Sequence, residues 1–535
     1  MKIRSVLLAL FSILFPFIIF AQENASQEIG IDEKINLAFK PVSDFFSNLI
    51  FFQVFDTPFV LILLVVSAAF FTVYFGFVNV RHFSTAINVV RGKYDSVDPD
   101  HGVAKTELPI DGDIPDTIRD ESSSGEVTHF QALATAVSGT VGNGNIAGVA
   151  LAIALGGPGA TFWMIVCGLL GMSTKFVECT LGVQYRDVDA DGTVHGGPMY
   201  YLSKGLKERG LGTLGKVTAV LFAIFCIGGS FGGGNAAQSN QATIVLKDLL
   251  GLSHAGSGFF IGVVLAILVG VIIIGGIKRI ASVTEKVVPF MAILYLLACI
   301  YIVGSNFYLL DDAISLIFVE AFNPKAIGVG GVIGVLLVGF KRAAFSNEAG
   351  AGSASIAHSA VKTKYSASEG LVALLEPFID TVVICTMTAL VIIIFNMGGA
   401  FTYGGDGSGA VLIDGVSYEG AGITSQAFAQ YIPYSSLFLT VAVVLFAVST
   451  MISWSYYGLQ SWKFLFGKGK MADITYKMLF LIFIVIGAAA NMKSIWDFSD
   501  AMIFAMVFPN MVGLILLFPK VNEQLKRYLK AIGKK

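Results

Sequence analysis

The sequence predicts an all-α polytopic membrane protein, and three observations support this prediction. Hydrophobic residues make up 55% of the 535 residues and charged residues only 13%, whereas a soluble domain carries about 25% charged residues. Apolar runs of about 20 residues, long enough to cross a bilayer as a helix, recur along the chain. The 59 glycines are concentrated in part within those runs, which indicates interrupted helices. A net charge of −2 gives no indication of a nucleic-acid partner.

The first 22 residues have the pattern of a secretory signal peptide. A short basic start at Lys2 and Arg4 precedes an apolar run that ends at Phe20, and this order is typical of a cleaved signal. An uncleaved first helix is the alternative. Residues 23–56 are then predicted to form an external N-terminal segment.

Eleven transmembrane spans are predicted after the signal. One extra helix at 57–77 precedes two blocks of five spans, 128–305 and 306–518, and a cytoplasmic loop with an acidic insert (78–127) follows the extra helix. The spans lie at about 57–77, 128–155, 160–183, 214–246, 258–277, 281–305, 328–360, 368–396, 435–457, 474–491 and 499–518.

The distribution of Lys and Arg predicts the orientation. Segments placed on the cytoplasmic side, including the basic tail 519–535, hold 22 of these residues, and segments placed outside hold 5. Because cytoplasmic loops are enriched in Lys and Arg, we predict a multi-pass protein of the cell (inner) membrane with its N-terminus outside and its C-terminus in the cytoplasm.

Two spans contain polar, glycine-rich breaks at mid-membrane, 136–145 and 345–353. Free backbone groups survive at that depth only where they line a cavity. The freed amides favour a carboxylate and the freed carbonyls a cation. Each break opens its block of five spans, and an odd number of spans turns the two blocks in opposite directions. Such paired breaks indicate a transporter's midplane site; close helix packing at small residues is the alternative.

Five motifs resemble the sodium–alanine symporter family, also called alanine or glycine:cation symporters. They are TVGNGNIAGV at 140–149, GGPGATFWM at 156–164, GGPMYYL at 196–202, SNEAG at 346–350 and WSYYG at 454–458. The resemblance runs from residue 57 to about 520. It implies one extra helix followed by a 5+5 inverted repeat of the leucine-transporter type, and sodium-coupled import of alanine or glycine.

The resemblance also implies the roles of individual residues. Amides at Asn143 and Gly144 would face the substrate carboxylate, and Gln238 and Trp454 would bound the substrate pocket, while the freed carbonyls near Phe345 and Ser346 suit its ammonium group. Family members usually carry threonine at the position of Asn143, which leaves the preferred amino acid open. The expected sodium ligands are Ser138, Thr140, Val141, Asn145, Ser449 and Thr450.

Charged residues within the spans have structural or functional interpretations. Lys175 and Glu178 have the spacing of a pair on one helix surface, His358 is expected to be a satisfied helix histidine, and Glu348 either holds the broken backbone or neutralises a cation. Asp380 lies deeper, where a carboxylate suggests a coupling role.

No nucleotide-binding, zinc or nucleophile motif indicates an enzyme or a cofactor. The predicted partners are a small neutral amino acid, sodium as coupling ion, and the lipid bilayer. The alternatives are a proton- or sodium-coupled carrier of another small zwitterion and, as a different class, a channel or sensor on the same scaffold.

Overall fold

The computed structural model describes residues 31–97, 125–189, 192–252, 254, 256–323, 331–405 and 407–534. The predicted signal peptide (1–22) and most of the acidic insert lie outside these residues. The described chain is mostly helical, with three short antiparallel strand pairs.

The described residues up to 305 form twelve α-helices and two strand pairs. The helices are α1 (Ile31–Ile50), α2 (Phe59–Tyr74), α3 (Val78–Arg81), α4 (Phe83–Val90), α5 (His129–Thr140), α6 (Val149–Gly156), α7 (Gly159–Gln184), α8 (Pro198–Glu208), α9 (Gly212–Phe231), α10 (Ala237–Leu250), α11 (Ser257–Ile273) and α12 (Gly276–Ser305). π-Helical turns join α5 to α6 (Gly144–Gly148) and α9 to α10 (Gly232–Ala236). The strands are β1 (Gln53–Val54) with β2 (Thr57–Pro58), and β3 (Asp187–Val188) with β4 (Val194–His195).

The second half repeats this helical character. A 3₁₀ turn (Phe307–Leu309) leads into α13 (Leu310–Phe322), α14 (Gly331–Asn347), α15 (Ala354–His358), α16 (Ser366–Ala373), α17 (Leu375–Pro377), a π-helical turn (Phe378–Cys385), α18 (Thr386–Asn396), α19 (Ala421–Tyr431), α20 (Ser435–Phe466), α21 (Lys470–Ala489) and α22 (Met492–Ala531). The last strand pair is β5 (Val411–Ile413) with β6 (Val416–Tyr418).

Seven helices among the described residues are long and apolar enough to cross a membrane, and an eighth span results if the bent pair α5 and α6 is counted as one. Helices α2 and α11 are apolar but shorter. The predicted span 328–360 is divided into α14 and α15. A polytopic helical membrane protein is thus supported, whereas the count of eleven spans stays a prediction.

Helix α1 packs along the start of α22. The Phe39 ring contacts Phe498 edge to face, with centroids 5.1 Å apart, and the Ser43 hydroxyl donates to the Ser494 carbonyl at 2.7 Å. Much of the predicted external segment 23–56 is therefore a helix docked on the bundle.

The first break bends the chain by 51° between α5 and α6. Helix α5 begins with a capping box, in which the Thr128 hydroxyl accepts from the Gln131 N–H and the Gln131 side chain accepts from the Thr128 N–H. Such a box satisfies two amides that a helix start leaves free. The sequence therefore specifies both where this span begins and where it is interrupted.

The second break lies between α14 and α15. Its backbone is left-handed at Glu348 (φ 54°), Gly350 (φ 93°) and Gly352 (φ 87°), a conformation that glycine adopts without steric cost and other residues rarely adopt. The Asn347 side chain accepts from the Ala349 N–H at 3.0 Å and stabilises the turn.

Candidate functional site

The two helix breaks meet around a small cavity with about 10 Å³ of free space, roughly enough for one water molecule. All of its lining residues are buried. They come from α5 and the turn after it, the π-turn before α10, the second break, α20 and α22: Gly139, Thr140, Gly144, Gly233, Gln238, Phe345, Ser346, Glu348, Thr450, Trp454 and Ile503. The structure thus brings together five of the six residues predicted to bind substrate, namely Gly144, Gln238, Phe345, Ser346 and Trp454. Asn143 is not among the lining residues.

Asn143 instead connects the first break to α10. Its backbone N–H donates to Gln238 Oε1 at 2.9 Å, and its side-chain Nδ2 donates to the Gln238 carbonyl at 3.1 Å. The expectation of a free Asn143 amide facing the substrate therefore differs from the structure, because the Gln238 side chain already accepts that hydrogen. The Gln238 side-chain nitrogen, Nε2, donates to the Gly233 carbonyl at 2.9 Å.

Trp454 forms one wall of the cavity and is held from two sides. Its indole Nε1 donates to Glu348 Oε1 at 2.9 Å, so α20 is connected directly to the second break. Its ring packs on Gly234, where a Cβ would lie 2.1 Å from Trp454 Cγ. Glu348 also accepts from the Ser353 hydroxyl. Of the two roles considered for Glu348, holding the broken backbone is the one that these contacts describe.

The first group of predicted sodium ligands is brought together where α20 crosses the first break. The Thr450 hydroxyl lies 3.0 Å from the Ser138 carbonyl oxygen and 3.5 Å from that of Val141. The Ser138 hydroxyl in turn donates to the Ser449 carbonyl at 2.8 Å. The Ser449 hydroxyl turns back to the Phe446 carbonyl of its own helix at 3.0 Å. Backbone and hydroxyl oxygens at this position are hard ligands of the kind that alkali cations take.

A second polar group surrounds Asp380 at the π-turn before α18. Asn145 Nδ2 donates to Asp380 Oδ1 at 2.6 Å, and the Ser346 and Thr381 hydroxyls donate to Oδ2 at 2.9 and 2.7 Å. Asn145 Oδ1 accepts from the Gly142 N–H at 2.8 Å. Asp380, for which its depth in an apolar span suggested a coupling or gating role, thus lies against Asn145, one of the predicted sodium ligands.

Thr140, the remaining predicted sodium ligand, lies at the end of α5 beside both groups. Its hydroxyl is 3.4 Å from the carbonyl oxygens of Ala136 and Val137 in its own helix. It also lines the cavity, so it stands between the candidate cation positions and the substrate position.

Comparison with known proteins identifies the family. The model of the sodium:alanine symporter family matches residues 112–535. This chain belongs to the sodium:alanine symporter family.

Its relatives in the family have mixed names. The sodium/alanine symporter AgcS of Methanococcus maripaludis is 38% identical over 472 residues, which cover 88% of this chain and 94% of AgcS. The amino-acid carrier protein AlsT of Bacillus subtilis is 32% identical and covers 86% of this chain and 87% of its own. The probable sodium/glutamine symporter GlnT of Bacillus subtilis is 34% identical and covers 76% and 80%. A crystal structure of MhsT with L-phenylalanine aligns over 74% of this chain and 99% of its own at a TM-score of 0.46 and 13% identity, a level that supports no conclusion about function.

In this symporter-family protein, aromatic and charged side chains cover one side of the cavity. The Phe345 ring lies 5.0 Å from the Trp496 ring. The Arg342 guanidinium lies over both rings, at 5.5 and 5.3 Å, and pairs with Asp500. The Lys341 ammonium is 2.9 Å from the same carboxylate. This layer closes the cavity on the side of α22.

Lys175 and Glu178 do not form the predicted surface pair. Both are fully buried, Lys175 Nζ donates to Glu376 Oε1 on α17 at 2.9 Å, and Glu178 Oε1 accepts from Asn510 on α22 at 2.7 Å. The i,i+3 spacing placed them on one face, but that face packs against other helices in the bundle.

Proposed function

We propose that this protein is a sodium-coupled secondary symporter that imports a small neutral amino acid, alanine or glycine, by alternating access. The observation that carries the proposal is the buried cavity at the junction of two broken helices, with groups of oxygen ligands beside it. Membership of a transporter family supports it, and the name of AgcS favours alanine over other substrates.

The free space in the cavity favours a small side chain. This space is about 10 Å³, roughly that of one water molecule, so a substrate must displace part of the wall and a small side chain requires the least displacement. Trp454, Phe345 and Ile503 supply its apolar wall, while Gly144 and Ser346 supply backbone polar groups. A zwitterion with a methyl side chain matches both surfaces, with its carboxylate at the first break and its ammonium at the second.

We propose two cation positions for sodium. The carbonyls of Ser138 and Val141 with the hydroxyls of Ser449 and Thr450 form one, and Thr140 and Asn145 lie near the other. The Thr450 hydroxyl donates to the carbonyls that a cation would use. Binding of sodium would replace these hydrogen bonds and fix α20 against the first break.

We further propose the architecture that the breaks imply. Helix α2 would be the extra span, and the blocks 128–305 and 306–518 would be inverted five-span repeats in the cell (inner) membrane. The excess of Lys and Arg in alternate loops supports a cytoplasmic C-terminus and an external N-terminus.

Uptake of labelled amino acids into proteoliposomes tests the proposal. With sodium outside, alanine or glycine is expected to accumulate above its external concentration, and replacement of sodium by choline should abolish accumulation. Uptake driven equally well by a proton gradient in choline would contradict sodium coupling. Accumulation of glutamine without alanine would instead favour the activity in the name of GlnT, and downhill flux alone would indicate a channel.

A further inference from the structure

A row of buried acidic and basic side chains leads away from the cavity. It consists of Glu348, Lys175, Glu376, His358, Glu369 and His129, which we call the acid–base row. The first five are at most 3% exposed, and the His129 side chain at the end of the row is 15% exposed. Only Glu348 of the row lines the cavity, and none of its members is a predicted sodium ligand.

Members of the row from Lys175 to His129 lie next to one another. Lys175 Nζ lies 2.9 Å from Glu376 Oε1, and the other Glu376 oxygen lies 3.5 Å from His358 Nε2. His358 Nδ1 is 2.5 Å from Glu369 Oε1. The second Glu369 oxygen bonds to His129 Nδ1. At the other end, Glu348 is buried near enough to Lys175 for the two charges to interact, but it does not form an ion pair with Lys175 in the described part of the chain.

His358 lies between two carboxyl groups. Its Nδ1 bonds to Glu369 Oε1, whereas Nε2 lies 3.5 Å from Glu376 Oε2 and makes no hydrogen bond there. Only an imidazolium can donate to both carboxylates, because a neutral imidazole has one N–H and a lone pair on the other nitrogen. A slightly closer approach of Glu376 would complete a path in which Glu369 Oε1–H gives its proton to Nδ1 while Nε2–H gives its proton to Glu376 Oε2.

The charges of the row and of adjacent Glu178 do not balance when all groups are ionised. Four carboxylates (Glu178, Glu348, Glu369 and Glu376) face three bases, Lys175, His129 and His358. Even with both histidines protonated, one negative charge is left over, and an uncompensated charge in a buried site is costly. The row is therefore expected to hold one additional proton.

Three atoms of this cluster have open hydrogen-bonding capacity. Within the described residues, Glu178 Oε2, Glu376 Oε2 and His358 Nε2 are buried and make no hydrogen bond. They are positions where a proton can be gained or lost without breaking an existing bond.

Other charged and titratable groups lie around the row. Arg186 donates to the carbonyls of Ser359, Val361 and Thr363, which follow His358. Titratable side chains near the row also include Cys179 on α7, Tyr201 on α8, Asp380 before α18 and Tyr457 on α20.

The two ends of the row lie in different surroundings. Glu348 accepts from the indole of Trp454, which lines the cavity. His129 is the first residue of α5, and the chain just before it pairs with the chain just after α15 through the bridge between Val127 and Val361. This bridge lies beside segments that the excess of Lys and Arg places in the cytoplasm.

We propose that the acid–base row is a proton-binding site and relay, which exchanges a proton with the cytoplasmic side through His129 as the cavity fills and empties. Proton binding does not depend on the identity of the substrate. The link to the transport cycle rests on the proposed symport function, so two separate measurements are needed.

Infrared spectroscopy of the purified full-length protein in liposomes tests proton binding. The wild type is expected to show the C=O band of a protonated carboxyl group that disappears as pH is raised and shifts in D₂O. Glu376→Gln and His358→Gln should remove or shift this titration. The matched controls are Glu320→Gln, a buried acid on α13, and His195→Gln, a buried histidine on β4; both should leave it unchanged.

Absence of a titrating carboxyl band in the wild type would overturn the proposal, and so would an identical titration in His358→Gln. Because the wild type alone can refute it, a variant that fails to fold does not leave the question open.

A pH dye enclosed in proteoliposomes tests the relay. With the membrane potential clamped, sodium-driven alanine uptake should be accompanied by a change in lumen pH, which His358→Gln should lose while it retains alanine exchange. Alanine accumulation without a pH change would refute the relay. If no alanine accumulates, the proposed transport function fails instead, and the infrared result still decides whether the row binds a proton.

Discussion

Replacement of Thr450 by valine removes one hydroxyl at almost constant shape. This hydroxyl donates to the carbonyls of Ser138 and Val141, at 3.0 and 3.5 Å. A cation at this position would lose one oxygen ligand. The energy of that contact is comparable to a hydrogen bond to a charged group, which contributes about 1.5–3 kcal/mol. Since 1.4 kcal/mol is about a factor of ten, we expect the sodium concentration for half-maximal uptake to rise by about tenfold or more.

The matched control is Thr440→Val, the same change ten residues earlier on the same helix. Its hydroxyl donates to the Val245 carbonyl on α10 at 3.5 Å and belongs to neither proposed cation position. We expect it to raise the half-maximal sodium concentration far less than Thr450→Val does. The assay is the initial rate of labelled alanine uptake into proteoliposomes as a function of external sodium, with reconstituted protein quantified for each variant.

Three results would refute the reasoning. Unchanged sodium dependence in Thr450→Val would show that this hydroxyl has a purely structural role. Equal effects of the two substitutions would show that proximity to the broken helix does not matter. A lower maximal rate with the same sodium dependence would likewise count against a cation at this position, because it would reflect loss of folded protein rather than loss of a ligand.

Three further predictions concern the cavity wall and the residues that support it. Trp454→Ala should broaden the set of amino acids that inhibit alanine uptake to include leucine, which should not compete in the unmodified protein; competition by leucine in the wild type would contradict the small pocket. Asn143→Thr removes the 3.1 Å bond to the Gln238 carbonyl, worth about 0.5–1.5 kcal/mol, and should change the ranking of glycine, alanine and serine in competition assays. Gly234→Ala should lower the melting temperature, because its Cβ would meet Trp454 at 2.1 Å and overpacking costs about 1–3 kcal/mol; Gly304→Ala, which has open space, should not.

Local sequence patterns predicted the parts of the fold that depend on neighbouring residues. The apolar run that begins at 128 and the glycine-rich strings located the start of α5 and both interruptions, because these features act through the backbone of the same segment. The helix Ile31–Ile50 was not anticipated, since its stability comes from contacts such as Phe39 with Phe498, more than 450 residues away. Its moderate polarity resembles that of a loop when read without its partner.

The candidate site was predictable to a similar extent. Family motifs identified most of the cavity wall, whereas the partners of charged residues were not predictable. Lys175 pairs with Glu376, 201 residues later in the chain, while helical spacing pointed to Glu178. Periodicity shows which residues share a helix face. It does not show which other helices cover this face, because that depends on the tertiary fold.

The geometry of the first break gives a physical reason for coupling between a cation and a substrate. Within a few residues, the Ser138 and Val141 carbonyls accept from Thr450, the Gly142 N–H donates to Asn145, and the Asn143 N–H donates to Gln238. A cation that draws these carbonyls toward α20 must also reorient the adjoining peptide groups, which lie beside Gly144 in the cavity. Because binding energies are linked reciprocally, a substrate that prefers this reoriented backbone would tighten cation binding by the same factor. No long pathway is required, since both ligands act on one short stretch of unwound chain.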